Sequence, residues 1–130
     1  MIVLDASAAV ELVLYTASGK RIAKRLERAG SIHCPHLIDI EITQTLRRLV
    51  VRAEVTADRG AAALSHWRDM EIQRYPHLPF LERIWTLREN LSAYDAAYVT
   101  LAEVLKAPLI TGDRRLARAP GSAARIEVIA

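Results

Sequence analysis

The chain has 130 residues, 52% of them hydrophobic and 25% charged, with a formal net charge of +3. That length builds one domain, residues 1–130, and the balance of apolar and charged residues belongs to a folded chain rather than a disordered one. No apolar run approaches the roughly 20 residues that span a bilayer, and nothing at the N-terminus resembles a leader, so a cytoplasmic protein without membrane contact is expected.

Ile2 to Leu4 reads as a short, fully apolar strand of the kind buried in a parallel sheet, ending at Asp5. Ala6 to Leu14 reads as a helix. A break over Tyr15 to Gly19 leads into a basic amphipathic segment, Lys20 to Ala29, with an apolar stripe at Ile22, Ala23 and Leu26, closed by Gly30. Ser31 to Cys34 is a second strand, stopped by Pro35. Leu37 to Val51 carries Ile38, Ile42, Leu46 and Leu49 at helical spacing, and Thr56 caps a further helix through about Met70.

Ile72 to Tyr75 is a short extended piece. Pro79 opens a helix that gives way near Asn90, and Ser92 starts one to Leu105 that is apolar on nearly every side and hence central. Pro108 to Thr111 and Ile126 to Ile129 read as the last strands. Strands alternating with helices predict an α/β sandwich around a parallel sheet of four or five short strands.

Four acids punctuate these elements: Asp5 ends the first strand, Glu41 edges an apolar helix stripe, Asp95 opens the most apolar helix, and Asp113 follows a late strand through Gly112. Strand ends of an open α/β sheet gather at one crevice, so acids far apart in the chain can converge there. Taken singly, each has a plainer reading. Asp5 and Asp113 suit helix caps or turns, Asp95 lies three residues after Ser92 as in a capping box, and Glu41 suits a solvated helix face.

Taken together, four convergent carboxylates would repel by roughly 4 kcal/mol per pair at 4 Å in an effective dielectric of about 20, and a divalent cation relieves that. Oxygen-only ligands suit Mg²⁺ or Mn²⁺. Ser7 and Thr111 add hydroxyls at the same strand ends. Arg114 and Arg115 put positive charge beside the acids, for phosphate contact or as a solvated turn. Asp39, the other acid near Glu41, points roughly opposite and reads as solvated.

The chain has no Gly-rich phosphate loop, no GxSxG and no Cys/His zinc spacing. Cys34 is solitary, so no internal disulfide forms. His33 and His36 straddle Pro35 without a further ligand and read as surface or partly packed. Trp67 and Trp85 sit on apolar helix faces, as core or partner-interface residues.

The segments Val3-Leu4-Asp5-Ala6-Ser7-Ala8, Pro35 to Glu41 with Leu46-Arg47-Arg48-Leu49, Tyr94-Asp95-Ala96-Ala97-Tyr98, and Leu109 to Asp113 with Leu116-Ala117 occur in this order along the whole chain. They resemble the PIN-domain ribonucleases, and specifically the VapC toxins of bacterial toxin–antitoxin pairs. The resemblance implies a three-layer α/β/α sandwich and a Mg²⁺- or Mn²⁺-dependent endoribonuclease whose four acids fall on Asp5, Glu41, Asp95 and Asp113, with Thr111 in support.

It also implies an RNA substrate such as tRNA or rRNA, a homodimer, and silencing by a VapB antitoxin. Some family members carry a further acid near the third or fourth motif. This chain shows none, which leaves the number of metal ions open. So does the choice of general base between Glu41 and Asp113, and the choice of RNA or antitoxin as partner of the basic segment.

Two other readings compete. A receiver-like phosphoacceptor domain wants an acidic pair after the first strand and a late lysine, but Ala6-Ser7 and Thr111-Gly112 stand in those places. A non-catalytic RNA-binding or interaction module would use the same scaffold with its acids reduced to caps.

Overall fold

A computed structural model describes residues Met1 to Ala130. Its five strands are β1 (Ile2–Leu4), β2 (Ile32–Pro35), β3 (Gln73–Tyr75), β4 (Leu109–Thr111) and β5 (Ile126–Val128). All pair in parallel in the order β3-β2-β1-β4-β5. The extended piece before Pro76 is thus a true edge strand, with Gln73 opposite His33. β1 lies at the centre and pairs Val3 with His33 on one side and with Leu109 on the other. The strand order reverses there, which makes the carboxyl end of β1 the switch point where an open α/β sheet forms its crevice.

Helices cover both faces of the sheet. Helices α1 (Ala6–Val13), α2 (Ala17–Leu26), α3 (Ile38–Val51) and α4 (Ala57–Asp69) are packed around α1, while α6 (Ala93–Leu105) packs on β1, β2 and β4 with α5 (Leu81–Thr86) against it. The short α7 (Arg114–Arg118) lies against β5. Ala96 to Ala102 of α6 are all buried, which accounts for the loss of any polar face there. The buried apolar side chains form one contiguous core that includes Leu4, Ile38, Ile42, Trp67, Leu101 and Ile110. Truncating such a side chain to alanine costs about 2–5 kcal/mol.

Two elements depart from the sequence reading. The basic helix begins at Ala17 rather than Lys20, because the Thr16 hydroxyl accepts from Gly19 N–H at 3.0 Å and caps it early. Gly19 lies inside the helix, where a Cβ would stand 1.9 Å from the carbonyl oxygen of Glu11. It serves the close approach of α1 and α2, not a loop.

The helix expected from Pro79 to Asn90 is instead a single 3₁₀ turn, Leu78–Phe80, followed by α5. Phe80 offers no side-chain cap, and the N–H of Leu87 is shared between the carbonyls of Arg83 and Ile84, a tightened last turn. The two tryptophans part company: Trp67 is buried, whereas Trp85 is 68% exposed with the Arg88 guanidinium 4.6 Å from its ring centroid.

Asp39 is not simply solvated. Its carboxylate accepts from Trp67 Nε1 at 2.7 Å and from Arg74 Nε at 2.8 Å, tying α3 to α4 and β3. Burial pushes the Asp39 pKa up, but the Arg74 and Trp67 hydrogen bonds outweigh it and the net shift is downward. His33, expected at or near the surface, is buried, with Nδ1 2.6 Å from the Tyr75 hydroxyl and Nε2 2.7 Å from that of Ser31.

Candidate active site

Asp5 leaves β1 at the switch point and caps α1. Its Oδ1 accepts from Ala8 N–H at 3.0 Å and from the Ser7 hydroxyl at 2.7 Å, and its Oδ2 accepts from the Thr111 hydroxyl at the end of β4. The capping reading of Asp5 and its place in the crevice therefore both hold. Ser7 also accepts from Gly112 N–H at 2.9 Å, and Thr111 accepts from Asp113 N–H at 3.0 Å. Two neighbouring strand ends are stitched together at one point by hydroxyls.

Three of the roughly four lone-pair sites of the Asp5 carboxylate are thereby taken by the protein itself. Burial raises its pKa, and the Thr111, Ala8 and Ser7 hydrogen bonds oppose the rise. The nearby charge of Asp95 adds to it.

Glu41 projects from the first turn of α3 and is half-buried. Its Oε1 accepts from the Tyr98 hydroxyl at 2.6 Å, and its Oε2 has no protein donor. Burial raises its pKa against the Tyr98 hydrogen bond, and Asp95 and Asp5 push the same way as burial. Asp95 lies in the first turn of α6, where its N–H donates to the Ser92 hydroxyl at 3.1 Å, the backbone half of the expected capping box. Burial and then Asp113 raise its pKa, while Ser92 and Arg115 act against them.

Asp113 lies beside Asp95 but has a cation of its own. It caps α7 by accepting from Arg115 N–H at 2.9 Å, and the Arg115 guanidinium folds back on the same carboxylate at 3.1 Å. Arg115 holds the Asp113 pKa below its usual value. Asp95, Asp113 and Arg115 line a cleft of about 250 Å³ with Ser92 and Asn90. Arg114 makes no ion pair and faces elsewhere, into a groove between α2 and α7.

The four acids sense one another's charge, but nowhere do three Asp, Glu, His or Cys side chains gather closely enough to form a ready-made metal cage. Asp5, Glu41 and Asp95 share raised pKa values, from burial first and neighbouring carboxylates second, whereas Arg115 relieves Asp113. Tyr98 is the residue that the sequence reading overlooked as a site residue. It lies three residues after Asp95 on the same helix, so its side chain neighbours that acid's face, and this spacing was the available signal.

A crevice of acids and hydroxyls at the switch point of a parallel five-stranded sheet defines an α/β protein with a hydrophilic, anion-rich centre. Comparison with known proteins places it further. A PIN-domain model matches residues 2–122. The chain is 43% identical over 130 residues, all of both chains, to ribonuclease VapC12 of Mycobacterium tuberculosis. It is 48% identical to ribonuclease VapC9 of the same organism over 116 residues, 89% of this chain and 88% of that one.

Two solved structures share the fold. Protein PAE2754 of Pyrobaculum aerophilum aligns with a TM-score of 0.73 and 23% identity over 98% of this chain and 83% of that one. VapBC2 of Rickettsia felis, bound to a promoter DNA fragment, aligns with a TM-score of 0.70 and 14% identity over 98% of each. The chain belongs to the PIN-domain family, in its VapC branch.

Proposed function

We propose that residues 1–130 form a single PIN domain that acts in the cytoplasm as a Mg²⁺- or Mn²⁺-dependent endoribonuclease toxin. It works as a homodimer, hydrolyses phosphodiester bonds of tRNA or rRNA, and is silenced by a VapB-type antitoxin. The observation that carries this reading is the meeting of Asp5, Ser7 and Thr111 at the switch point, with Glu41 and Asp95 within reach of their charge. The whole-length similarity to proteins named ribonucleases supports RNA as the substrate.

The residues present fit a hard divalent ion. Every donor is an oxygen, and the pKa values of Asp5, Glu41 and Asp95 are raised by burial first and by neighbouring carboxylates second, both of which a bound cation offsets. Asp5 and Asp95 are the direct ligands in this reading, with Glu41 and Asp113 completing the acidic site. When bound, the ion supplies a water of lowered pKa and neutralises charge on the scissile phosphate.

The chain's own groups do the rest. Ser7 and Thr111 hold Asp5 in one orientation. Glu41, with its raised pKa and an oxygen free of protein donors, is the better proton acceptor for the attacking water. Asp113, held low by Arg115, is the weaker base. Arg115, at the mouth of the cleft, meets the substrate phosphate.

The test is cleavage of total cellular RNA by antitoxin-free protein with Mg²⁺, with Mn²⁺ and with EDTA, wild type beside Asp5→Ala. Discrete fragments that need both metal and Asp5 are expected. Cleavage by a folded Asp5→Ala variant would sink the assignment, and the absence of any cleavage would favour the binding-module reading.

A further inference from the structure

A groove of about 650 Å³ lies outside the acidic site and is walled by cations. Arg21, Lys24, Arg25 and Arg28 include pairs three and four residues apart, which sets them along one side of α2 and the turn after it. Arg114 and Arg118, four residues apart, form the facing stripe on α7. Val128 and Ile129 supply an apolar floor between them.

Arg25 is neutralised by a two-pronged ion pair with Glu127, and Arg21 donates to the carbonyl of Ala130. Lys24, Arg28, Arg114 and Arg118 have no carboxylate partner in the structure. These four exposed cations facing one cleft make a positive potential that attracts an anion.

We propose that this groove binds the sugar–phosphate backbone of single-stranded RNA and leads the strand to the acidic site. The proposal rests on the ribonuclease reading and deepens it. Continuity decides for RNA over an acidic protein segment. The groove's Ile129 donates its N–H to the carbonyl of Thr111 at 2.8 Å, and the Thr111 hydroxyl binds Asp5. Arg114, at the near end, follows Asp113 directly in the chain. The groove and the acidic cleft share no lining residue but meet at the start of α7, so a strand held in the groove has its next phosphates beside the carboxylates, whereas an acidic peptide gains nothing by continuing towards Asp5 and Asp113. The apolar floor suits packing of riboses or bases beneath phosphates gripped from both walls.

Fluorescence anisotropy of a labelled, mixed-sequence single-stranded RNA in EDTA, over a range of salt, tests this. Arg28→Ala/Arg118→Ala removes one free cation from each wall. It should weaken binding about 25-fold in 0.1 M salt and flatten the slope of log affinity against log salt by about 1.4, evenly across sequences. Arg47→Ala/Arg52→Ala on and just after α3, with the same loss of charge, should bind nearly as wild type does, and melting curves check that both variants fold.

Normal RNA binding by the groove variant overturns the proposal. So does equal weakening by both pairs, failure of the wild type to bind RNA, or displacement of the RNA by polyglutamate at equal charge. Cleavage is read separately: Asp5-dependent cleavage with a silent groove overturns the groove alone. Groove-dependent binding without cleavage leaves the groove standing and overturns the catalytic reading.

Discussion

The Tyr98 phenol donates to the Glu41 carboxylate at 2.6 Å, joining the middle of α6 to the first turn of α3 across the acidic crevice. This bond lowers the Glu41 pKa against burial. In Tyr98→Phe the opposing effect is lost and the pKa climbs further. A general base works in its ionised form, so the acidic limb of the pH–rate profile for RNA cleavage should move to higher pH. Stability should fall by about 1.5–3 kcal/mol, the range for a hydrogen bond to a charged group. An unmoved acidic limb would remove Glu41 from the role of base.

Thr111 serves two partners at once, donating to Asp5 and accepting from Asp113 N–H. Thr111→Val keeps the shape and removes both bonds inside a fully buried site. Urea unfolding should report a loss of about 1–3 kcal/mol, with a sharp fall in cleavage. Thr111→Ser should restore most of the cleavage, because the hydroxyl is what matters. Equal loss in the serine variant would point to packing of the methyl group instead.

Asp95 carries a raised pKa, from burial first and Asp113 second. A carboxyl that holds its proton more tightly folded than unfolded loses stability as pH rises from the ordinary value, 3.8, through the raised one. Above that window the full penalty stands. Asp95→Asn should therefore melt higher than wild type at pH 7, the gain fading as pH falls through that window and gone below the ordinary value. A lower Tm at pH 7 would show that the acid is stabilised by something other than its solvent and neighbours.

Divalent cations should raise the Tm of the wild type. An ion at about 100 times its Kd adds about 2.7 kcal/mol, and EDTA should reverse the shift. Calorimetry of Asp95→Asn with and without Mg²⁺ or Mn²⁺ should show little response. A full response in that variant would place the ion elsewhere.

Gly19→Ala should cost about 1–3 kcal/mol or more by equilibrium unfolding, since the new methyl meets the backbone of Glu11 and no flexible side chain can yield. Wild-type stability would mean that α1 and α2 slide apart freely.

Much of this molecule could be read before any coordinates. Asp5 and Asp113 were legible because a carboxylate after a short apolar run marks a strand end, and α6 because its apolar residues leave no polar face. What escaped reading depended on distant partners. Gly19 looks like a helix breaker until Glu11 is seen beside it. Asp39 looks solvated because Arg74 lies 35 residues away in the chain, on an edge strand. The hold of Arg115 on Asp113 is local, yet several geometries of that turn are open to the same residues, and only the fold selects one.

The central position of β1 has a temporal side. The first strand to be made waits long for its second neighbour, for β4 arrives more than a hundred residues later, the Asp5 and Thr111 hydroxyl contact spanning 106 positions. Contacts that distant form late in folding. A chain that stops short of β4 leaves Asp5 on an open strand edge, without the hydroxyl that orients it and without Asp113. Under the proposed function such a fragment would lack a working centre, and cleavage of RNA would begin only with a nearly finished molecule.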